Sequence, residues 1–194
     1  MSNKLKILLA EDEHLCMMGL KHNILNLGHQ IAGEATDGME AVKLAKEEKP
    51  DLMIMDINLP KINGIEAIKK INENSFIPSI IVTGYHDEEL IKKATRAGVF
   101  SYLVKPIDCK DIKAAIEVAL ARFEEFKDLR TELEDTKEAL EARKYIERAK
   151  GILMDQKGLK EHEAMKKLQT ISRNNNKKLF VIAKEIIKAD ELLN

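Results

Sequence analysis

Short apolar runs alternate with longer amphipathic stretches over the first 120 residues of the chain. The apolar runs predict five strands, at residues 6–10, 30–35, 51–55, 79–82 and 101–104. Helical patterns lie between them, at residues 15–27, 38–48, 64–73, 88–97 and from 109 onward. Because continuous apolar strands joined by helices need cover on both faces, we expect an α/β fold with a doubly wound, five-stranded parallel sheet.

The pattern then predicts one long helix that leaves the sheet. From Asp111 to Gln156 the chain has no proline and only Gly151, and apolar residues recur every three or four positions. Two consecutive steps of three around Phe126 interrupt the heptad register, which weakens the parallel coiled-coil dimer that the pattern otherwise favours. Further helices are predicted at residues 161–172 and 178–193, so the chain should end in a small three-helix bundle.

Composition and charge narrow the class of protein. Apolar residues make up 44% of the chain and charged residues 34%, which is typical of a globular protein. The first apolar run is short and ends in carboxylates, so we expect no signal peptide, no membrane span and a cytoplasmic location. The spacing of Cys16 and Cys109 argues against a disulfide framework or a zinc site. Residues 140–194 carry 13 basic and 8 acidic side chains, which suits either a polyanionic partner or a solvated helical surface.

Polar residues follow four of the predicted strands where each strand ends. In a parallel sheet these ends meet at one edge, where the loops open into a crevice. The residues are Glu11, Asp12 and Glu13 after the first strand, Asp56 after the third, Thr83 after the fourth and Lys105 after the fifth. Each of them alone usually caps a helix or is simply solvated, but four strand ends that together supply carboxylates, a hydroxyl and an ammonium favour a functional site.

Clustered carboxylates repel one another unless a cation is present, and oxygen ligands suit Mg²⁺. Asp12 and Asp56 are the expected direct ligands. One Asp56 oxygen can then attack a phosphoryl group while Mg²⁺ and Lys105 neutralise the charge on the phosphoryl oxygens and Thr83 donates a hydrogen bond to one of them.

The segments LLAEDE (8–13), MDINLPKINGIEA (55–67), VTG (82–84) and YLVKP (102–106) resemble the receiver domain of two-component response regulators, which has a flavodoxin-like fold. The resemblance covers about residues 4–121. It implies that Asp56 accepts phosphate from a sensor histidine kinase and that the Mg²⁺ ligands are Glu11, Asp12, Asp56 and the Asn58 carbonyl oxygen. It also implies a cis peptide bond between Lys105 and Pro106, and a switch formed by Thr83 and Tyr102.

Two positions depart mildly from the receiver pattern. Glu11 stands where Asp is commoner and should still reach the metal through water. Gly84 follows Thr83 where Ala is frequent, which favours a looser switch loop.

A phosphatase of the haloacid dehalogenase type would use a similar set of residues. Such enzymes need a second Asp two residues after the nucleophile as general acid and base, and here that position is Asn58, which cannot exchange a proton. We therefore expect a reversible switch and not an enzyme.

The segments LEARKYIERAKGILMDQKGLKEHEAMKKLQ (140–169) and ISRNNNKKLFVIAKEII (171–187) resemble the ANTAR domain, a three-helix RNA-binding output of antitermination regulators. Many matching residues are apolar and would serve only to pack the bundle. A bundle core has no use for the basic ones, whereas RNA hairpins offer phosphates and unstacked bases. The residues expected at the RNA surface are Arg143, Lys150, Gly151 and Lys178; for Tyr145 and Phe180 we favour packing over base stacking.

The resemblance implies a phosphorylation-dependent homodimer that binds paired hairpins in leader mRNA and promotes antitermination. The expected divisions are a receiver at 1–121, a coiled-coil-like linker at 122–139 and an ANTAR domain at 140–194. A DNA-binding helix-turn-helix stays open, although the helix at 178–193 lacks Arg, Asn, Gln, Ser and Thr to read bases. A protein-interaction tail also stays open.

Overall fold

The computed structural model describes residues 4–84 and 94–193. By its contacts the chain divides into two compact units, Met1–Lys127 and Asp128–Asn194. A separate linker at 122–139 stays a prediction.

The first unit contains the predicted parallel sheet. Its strands are β1 (Lys6–Ala10), β2 (Gln30–Ala35), β3 (Leu52–Asp56), β4 (Ser79–Thr83) and β5 (Val99–Val104). They lie in the order β2-β1-β3-β4-β5, and every neighbouring pair is parallel. The five-stranded doubly wound sheet is confirmed, and each strand lies within two residues of its predicted bounds.

Helices follow these strands at the expected places. They are α1 (His14–Asn26), α2 (Gly38–Glu48), α3 (Gly64–Asn72) and α4 (Cys109–Lys157). Of the helix predicted at 88–97, residues 94–97 are helical and the rest lies outside the described residues.

The core of the first unit has one layer on each face of the sheet. On one face, Ile7, Leu9 and Ile54 pack against α1 and the first turns of α4. On the other face, Leu8 and Met53 pack against α2 and α3. Complete burial of one such side chain contributes about 1.5–3 kcal/mol, so both layers hold the strand ends in register.

The loops that follow β2 and β3 are fixed by helix caps. The Asp37 side chain accepts a hydrogen bond from the Glu40 backbone N–H at 2.9 Å, and Asn63 caps α3 in the same way. Lys61 also forms an ion pair with Asp37, which lowers the pKa of that carboxyl group. These contacts hold together the loops that follow β2 and β3, which border the edge of the sheet where the strands end.

The second unit is the predicted helical bundle. It comprises the part of α4 from Asp128 onward, α5 (Glu161–Asn174) and α6 (Leu179–Leu193). Its buried core residues are Ala149, Leu153, Ala164, Leu168, Ile182, Ala183 and Ile187. Ile146, Ile171 and Ile186 are partly buried against this cluster.

Candidate functional site

The strand ends bring three of the predicted residues into direct contact. Lys105 Nζ lies 2.6 Å from Asp56 Oδ2, and 3.0 and 2.8 Å from the two Glu11 oxygens. Glu11 is 1% exposed and Asp56 is 5% exposed, whereas the Lys105 side chain is 24% exposed. One ammonium at the mouth of the crevice is therefore shared by two buried carboxyl groups, and one negative charge stays uncompensated when both are ionised.

Burial and charge shift the pKa values within this cluster. Burial raises the pKa of Glu11 above its usual value, the negative charge of Asp56 adds to the rise, and the Lys105 contact opposes it. Burial would lower the pKa of Lys105, but the hydrogen bonds and charges of Asp56 and Glu11 outweigh it and raise that pKa. Lys105 is therefore a fixed cation, while Glu11 is the group that would gain from a second positive charge.

Backbone geometry orients the Asp56 carboxylate. The backbone N–H of Asn58 donates to Asp56 Oδ1 at 2.7 Å, so each carboxylate oxygen has a donor of its own. The first turn of α3 lies directly against the end of β3, where the Gly64 N–H donates to the Ile57 carbonyl. A Cβ atom on Gly64 would clash with the Asp56 carbonyl oxygen. This close approach requires glycine and holds Asp56 at the edge of the sheet.

Oxygen atoms suited to a hard cation surround this cluster. Glu11 Oε2 is buried, and although it lies within ion-pair distance of Lys105 it has no hydrogen bond. Asp12 and Asn58 are exposed beside it. The donors available are carboxylate, amide and carbonyl oxygens, so the residues fit Mg²⁺. Glu13 lies at this edge, as the sequence predicts, and Cys16, which the sequence reasoning missed, lies beside it; their ligand atoms and one from Glu11 are within 4.8 Å of one another.

Thr83 ends β4, and Tyr102 lies on β5 three residues before Lys105. Thr83 is buried at the end of β4, and its carbonyl accepts a hydrogen bond from the Lys105 N–H at 2.9 Å. Tyr102 is 44% exposed on β5, with Val104 exposed beside it. The peptide bond between Lys105 and Pro106 is cis, as the receiver resemblance implies.

In the second unit, the predicted RNA-contact residues fall into different environments. Arg143 and Lys178 are exposed and Gly151 is half-buried. Lys150 is 8% exposed, and its Nζ lies 2.8 Å from Glu147 Oε2 and 2.7 Å from Glu161 Oε1. These contacts raise the pKa of Lys150.

The premise that a bundle core has no use for Lys150 is wrong. Its ammonium joins α4 to the start of α5 through Glu161, while its aliphatic stem is covered by the bundle. Glu147 lies three residues before Lys150 on the same helix, where helix periodicity brings side chains together, but sequence reasoning could not find Glu161, which lies 11 residues away and on another helix.

Two models of known families match the chain. The model of the response regulator receiver domain matches residues 7–117, and the model of the ANTAR domain matches residues 134–187. The chain is 38% identical to the transcriptional regulatory protein PdtaR of Mycobacterium tuberculosis, over 94% of this chain and 89% of that protein.

Solved structures resemble the first unit. The signal receiver domain of a modulated diguanylate cyclase from Desulfovibrio desulfuricans G20 superposes with a TM-score of 0.58 and 29% identity, covering 62% of this chain and 96% of that one. The CheX-CheY-BeF₃-Mg²⁺ complex from Borrelia burgdorferi matches with a TM-score of 0.55 and 26% identity, covering 57% of this chain and 85% of that one. None of the helices in the described ranges has both the length and the apolar character needed to cross a membrane.

Proposed function

Because the chain belongs to the response regulators in which a receiver domain is followed by an ANTAR domain, we propose that phosphorylation of Asp56 controls its binding to RNA. The observation that carries this proposal is the buried pair of carboxyl groups, Glu11 and Asp56, around a single ammonium from Lys105. A structural ion pair would need one carboxylate for one lysine. A second, buried carboxylate is costly to the fold and calls for a function.

Asp56 is the phosphoryl acceptor in this proposal, and a sensor histidine kinase is the donor. One Asp56 oxygen forms a bond to phosphorus as the bond between phosphorus and the donor histidine nitrogen breaks. The Lys105 ammonium neutralises charge on the phosphoryl oxygens, and the Thr83 hydroxyl donates a hydrogen bond to one of them. The Asn58 N–H keeps the carboxylate oriented for this attack.

Mg²⁺ would be held by Glu11, Asp12, Asp56 and the Asn58 carbonyl oxygen. When bound, the ion neutralises charge on the transferring phosphoryl group. In support, the related CheY from Borrelia burgdorferi was solved with Mg²⁺ and beryllium fluoride.

The phosphorylated state should persist long enough to signal. Asn58 stands two residues after Asp56, and its amide cannot act as a general base toward water. This favours a switch over a turnover phosphatase.

The new charge on Asp56 changes the surface around Tyr102. Thr83 moves toward the phosphoryl oxygens, and Tyr102, Val104 and the adjoining turns of α4 repack. This face and α4 then form a homodimer, which presents two ANTAR domains to two hairpins and raises the effective concentration of the second.

In this proposal the second unit binds the RNA. Arg143 and Lys178 are exposed, and the described residues supply no acidic ion-pair partner for either, so both are available to phosphates. Gly151 lies on the same helix as Arg143 and permits close approach of a backbone. Lys150 contributes by holding α5 against α4. Binding to leader mRNA in the cytoplasm would disfavour the terminator hairpin and promote antitermination.

Two experiments test the proposal. Intact-mass spectrometry after incubation with a small phosphoryl donor and Mg²⁺ should show one added phosphoryl group on the wild type and none on Asp56→Asn. Crosslinking and sequencing of bound nucleic acid should then yield hairpin-rich leader RNA for the wild type, with losses in an Arg143→Ala, Lys178→Ala variant. Phosphorylation of Asp56→Asn to the same extent, or enrichment of duplex DNA, would contradict the proposal.

A further inference from the structure

The second unit contains only two aromatic residues, and both line one pocket. Tyr145 lies on α4 and Phe180 on α6, 35 positions apart in the sequence. They share a pocket of about 460 Å³ with Lys178 and Lys184, which we call the aromatic pocket. Both rings are half-buried, so each packs against the bundle with one part and faces the pocket with another.

A cation occupies the ring faces. Lys184 Nζ lies 4.6 Å from the centre of the Tyr145 ring and 5.5 Å from the centre of the Phe180 ring. Lys184 is exposed, and its ammonium is on a flexible stem. The π faces are therefore accessible from solvent, and a ligand can displace the ammonium without disturbing the bundle core.

Acidic side chains also line the pocket. Asp135, Glu138 and Glu141 recur every three residues along α4, the helix that carries Tyr145. The described residues include no lysine or arginine paired with any of these three carboxylates. Three carboxylates face two ammonium groups, so the charge within the pocket is nearly balanced.

We propose that the aromatic pocket binds one unpaired base of an RNA loop, an inference that rests on the proposed RNA-binding function. The base stacks on Tyr145 and Phe180, the carboxylates of α4 that line the pocket accept hydrogen bonds from its N–H groups, and Lys178 contacts the adjoining phosphate. The three carboxylates disfavour a phosphate inside the pocket and the two ammonium groups disfavour a cationic side chain there, which favours a neutral, planar ligand. Its volume lies within the range of about 300–1,000 Å³ that is usual for ligand sites.

Displaced Lys184 has a second role in this arrangement. Once a base covers the rings, its ammonium is free to approach the backbone of the same nucleotide. Stacking and phosphate contact are thereby coupled at one site, as they are in proteins that bind single-stranded nucleic acids.

The test uses the full chain and a library of hairpin RNAs with randomised loops. A hairpin selected by the wild type is resynthesised with each loop nucleotide in turn replaced by an abasic one. We expect one abasic position to weaken wild-type binding roughly five- to hundredfold, as loss of a stacked base does. Tyr145→Leu and Phe180→Leu should weaken binding of the intact hairpin by a similar factor and be insensitive to that same abasic position. Tyr145→Phe, which keeps the ring face, should bind like the wild type.

The outcomes separate the two proposals. If the wild type selects no hairpin, the RNA-binding function fails and the pocket proposal fails with it. If the wild type binds hairpins but the leucine variants keep the same abasic sensitivity, the pocket proposal is overturned while RNA binding stands. Pocket-dependent binding of a basic peptide in place of RNA would also overturn it. Circular dichroism melts of each variant identify any loss of RNA affinity that comes from unfolding. For variants that stay folded, the comparison of intact and abasic hairpins decides whether the pocket binds the base.

Discussion

Replacement of Lys105 by alanine should leave the carboxylates of Glu11 and Asp56 to repel each other, because it removes the ammonium that both contact. In the wild type the Lys105 ammonium lies between Asp56 and Glu11, and both of these carboxyl groups are almost fully buried. Without it they face each other with no counter-charge. The receiver fold should therefore be destabilised when Mg²⁺ is absent, and Mg²⁺ should restore most of the loss.

The geometry sets the size of this effect. The two carboxylates each lie within 3 Å of one Nζ atom, so their nearest oxygens are about 5 Å apart or less. At an effective dielectric constant of about 20, two unit charges at this distance repel by about 3 kcal/mol. Partial protonation of Glu11 limits the cost, because its pKa would rise further. We expect a loss of about 2–3 kcal/mol at neutral pH, below the roughly 3–5 kcal/mol found for fully buried pairs.

Hydrogen exchange of peptides from β1 and β3 reports on the first unit alone, which a global unfolding curve of the two-unit chain does not. The opening free energy is compared for wild type and Lys105→Ala, each with EDTA and with saturating Mg²⁺. A ligand at a hundred times its dissociation constant adds about 2.7 kcal/mol, so Mg²⁺ should return the opening free energy of Lys105→Ala to about that of the wild type in EDTA. Lys113→Ala, which removes an exposed lysine of α4, should change the opening free energy by less than about 0.5 kcal/mol.

Equal protection of Lys105→Ala and wild type in EDTA would refute the reasoning, because it would mean that the carboxyl groups do not depend on the ammonium. An opening free energy of Lys105→Ala that Mg²⁺ leaves unchanged would equally refute the assignment of these carboxylates as its ligands.

Three further predictions follow from single contacts. Gly64→Ala should destabilise the first unit by about 1–3 kcal/mol and slow phosphorylation of Asp56, measured by urea unfolding and intact mass, because the added Cβ clashes with the Asp56 carbonyl. Burial raises the pKa of Glu11, so just above the ordinary carboxyl pKa the folded state binds more protons than the unfolded state. The stability of the metal-free protein should therefore fall as pH rises through that window. Glu11→Gln should abolish this fall and weaken Mg²⁺ binding. Lys150→Ala and Glu161→Ala should lower the melting temperature of the second unit by similar amounts and leave the salt dependence of RNA binding unchanged. A direct phosphate contact by Lys150 would instead reduce the salt dependence in Lys150→Ala alone.

Much of the fold could be predicted because its elements repeat a simple pattern. β3 and β4 are buried along their whole length and appear in the sequence as continuous apolar runs. The end of a strand is less certain: Asp56 and Thr83 are the last residues of β3 and β4, although polar residues suggest that the strand stops one position earlier. The ladder continues through them because their backbone groups still pair with the neighbouring strand.

The site was less predictable, since its contacts join distant parts of the chain. The order of strand ends points to Asp56 and Lys105, which meet across 49 residues. No pattern reveals that Glu161 of α5 reaches Lys150 of α4, or that Tyr145 and Phe180 share a pocket. Such contacts depend on how helices pack, and helix periodicity fixes only which face of each helix is apolar.

The central claim is that the charge state of Asp56 sets the affinity for RNA. It is tested most directly by measuring the dissociation constant for one selected hairpin RNA with wild type and Asp56→Asn, each with and without a phosphoryl donor in Mg²⁺ buffer. A coupling free energy of about 1–3 kcal/mol predicts that the donor tightens wild-type binding roughly five- to 150-fold and leaves Asp56→Asn unchanged. The same dissociation constant in all four samples, with phosphorylation of the wild type verified by mass, would contradict the account.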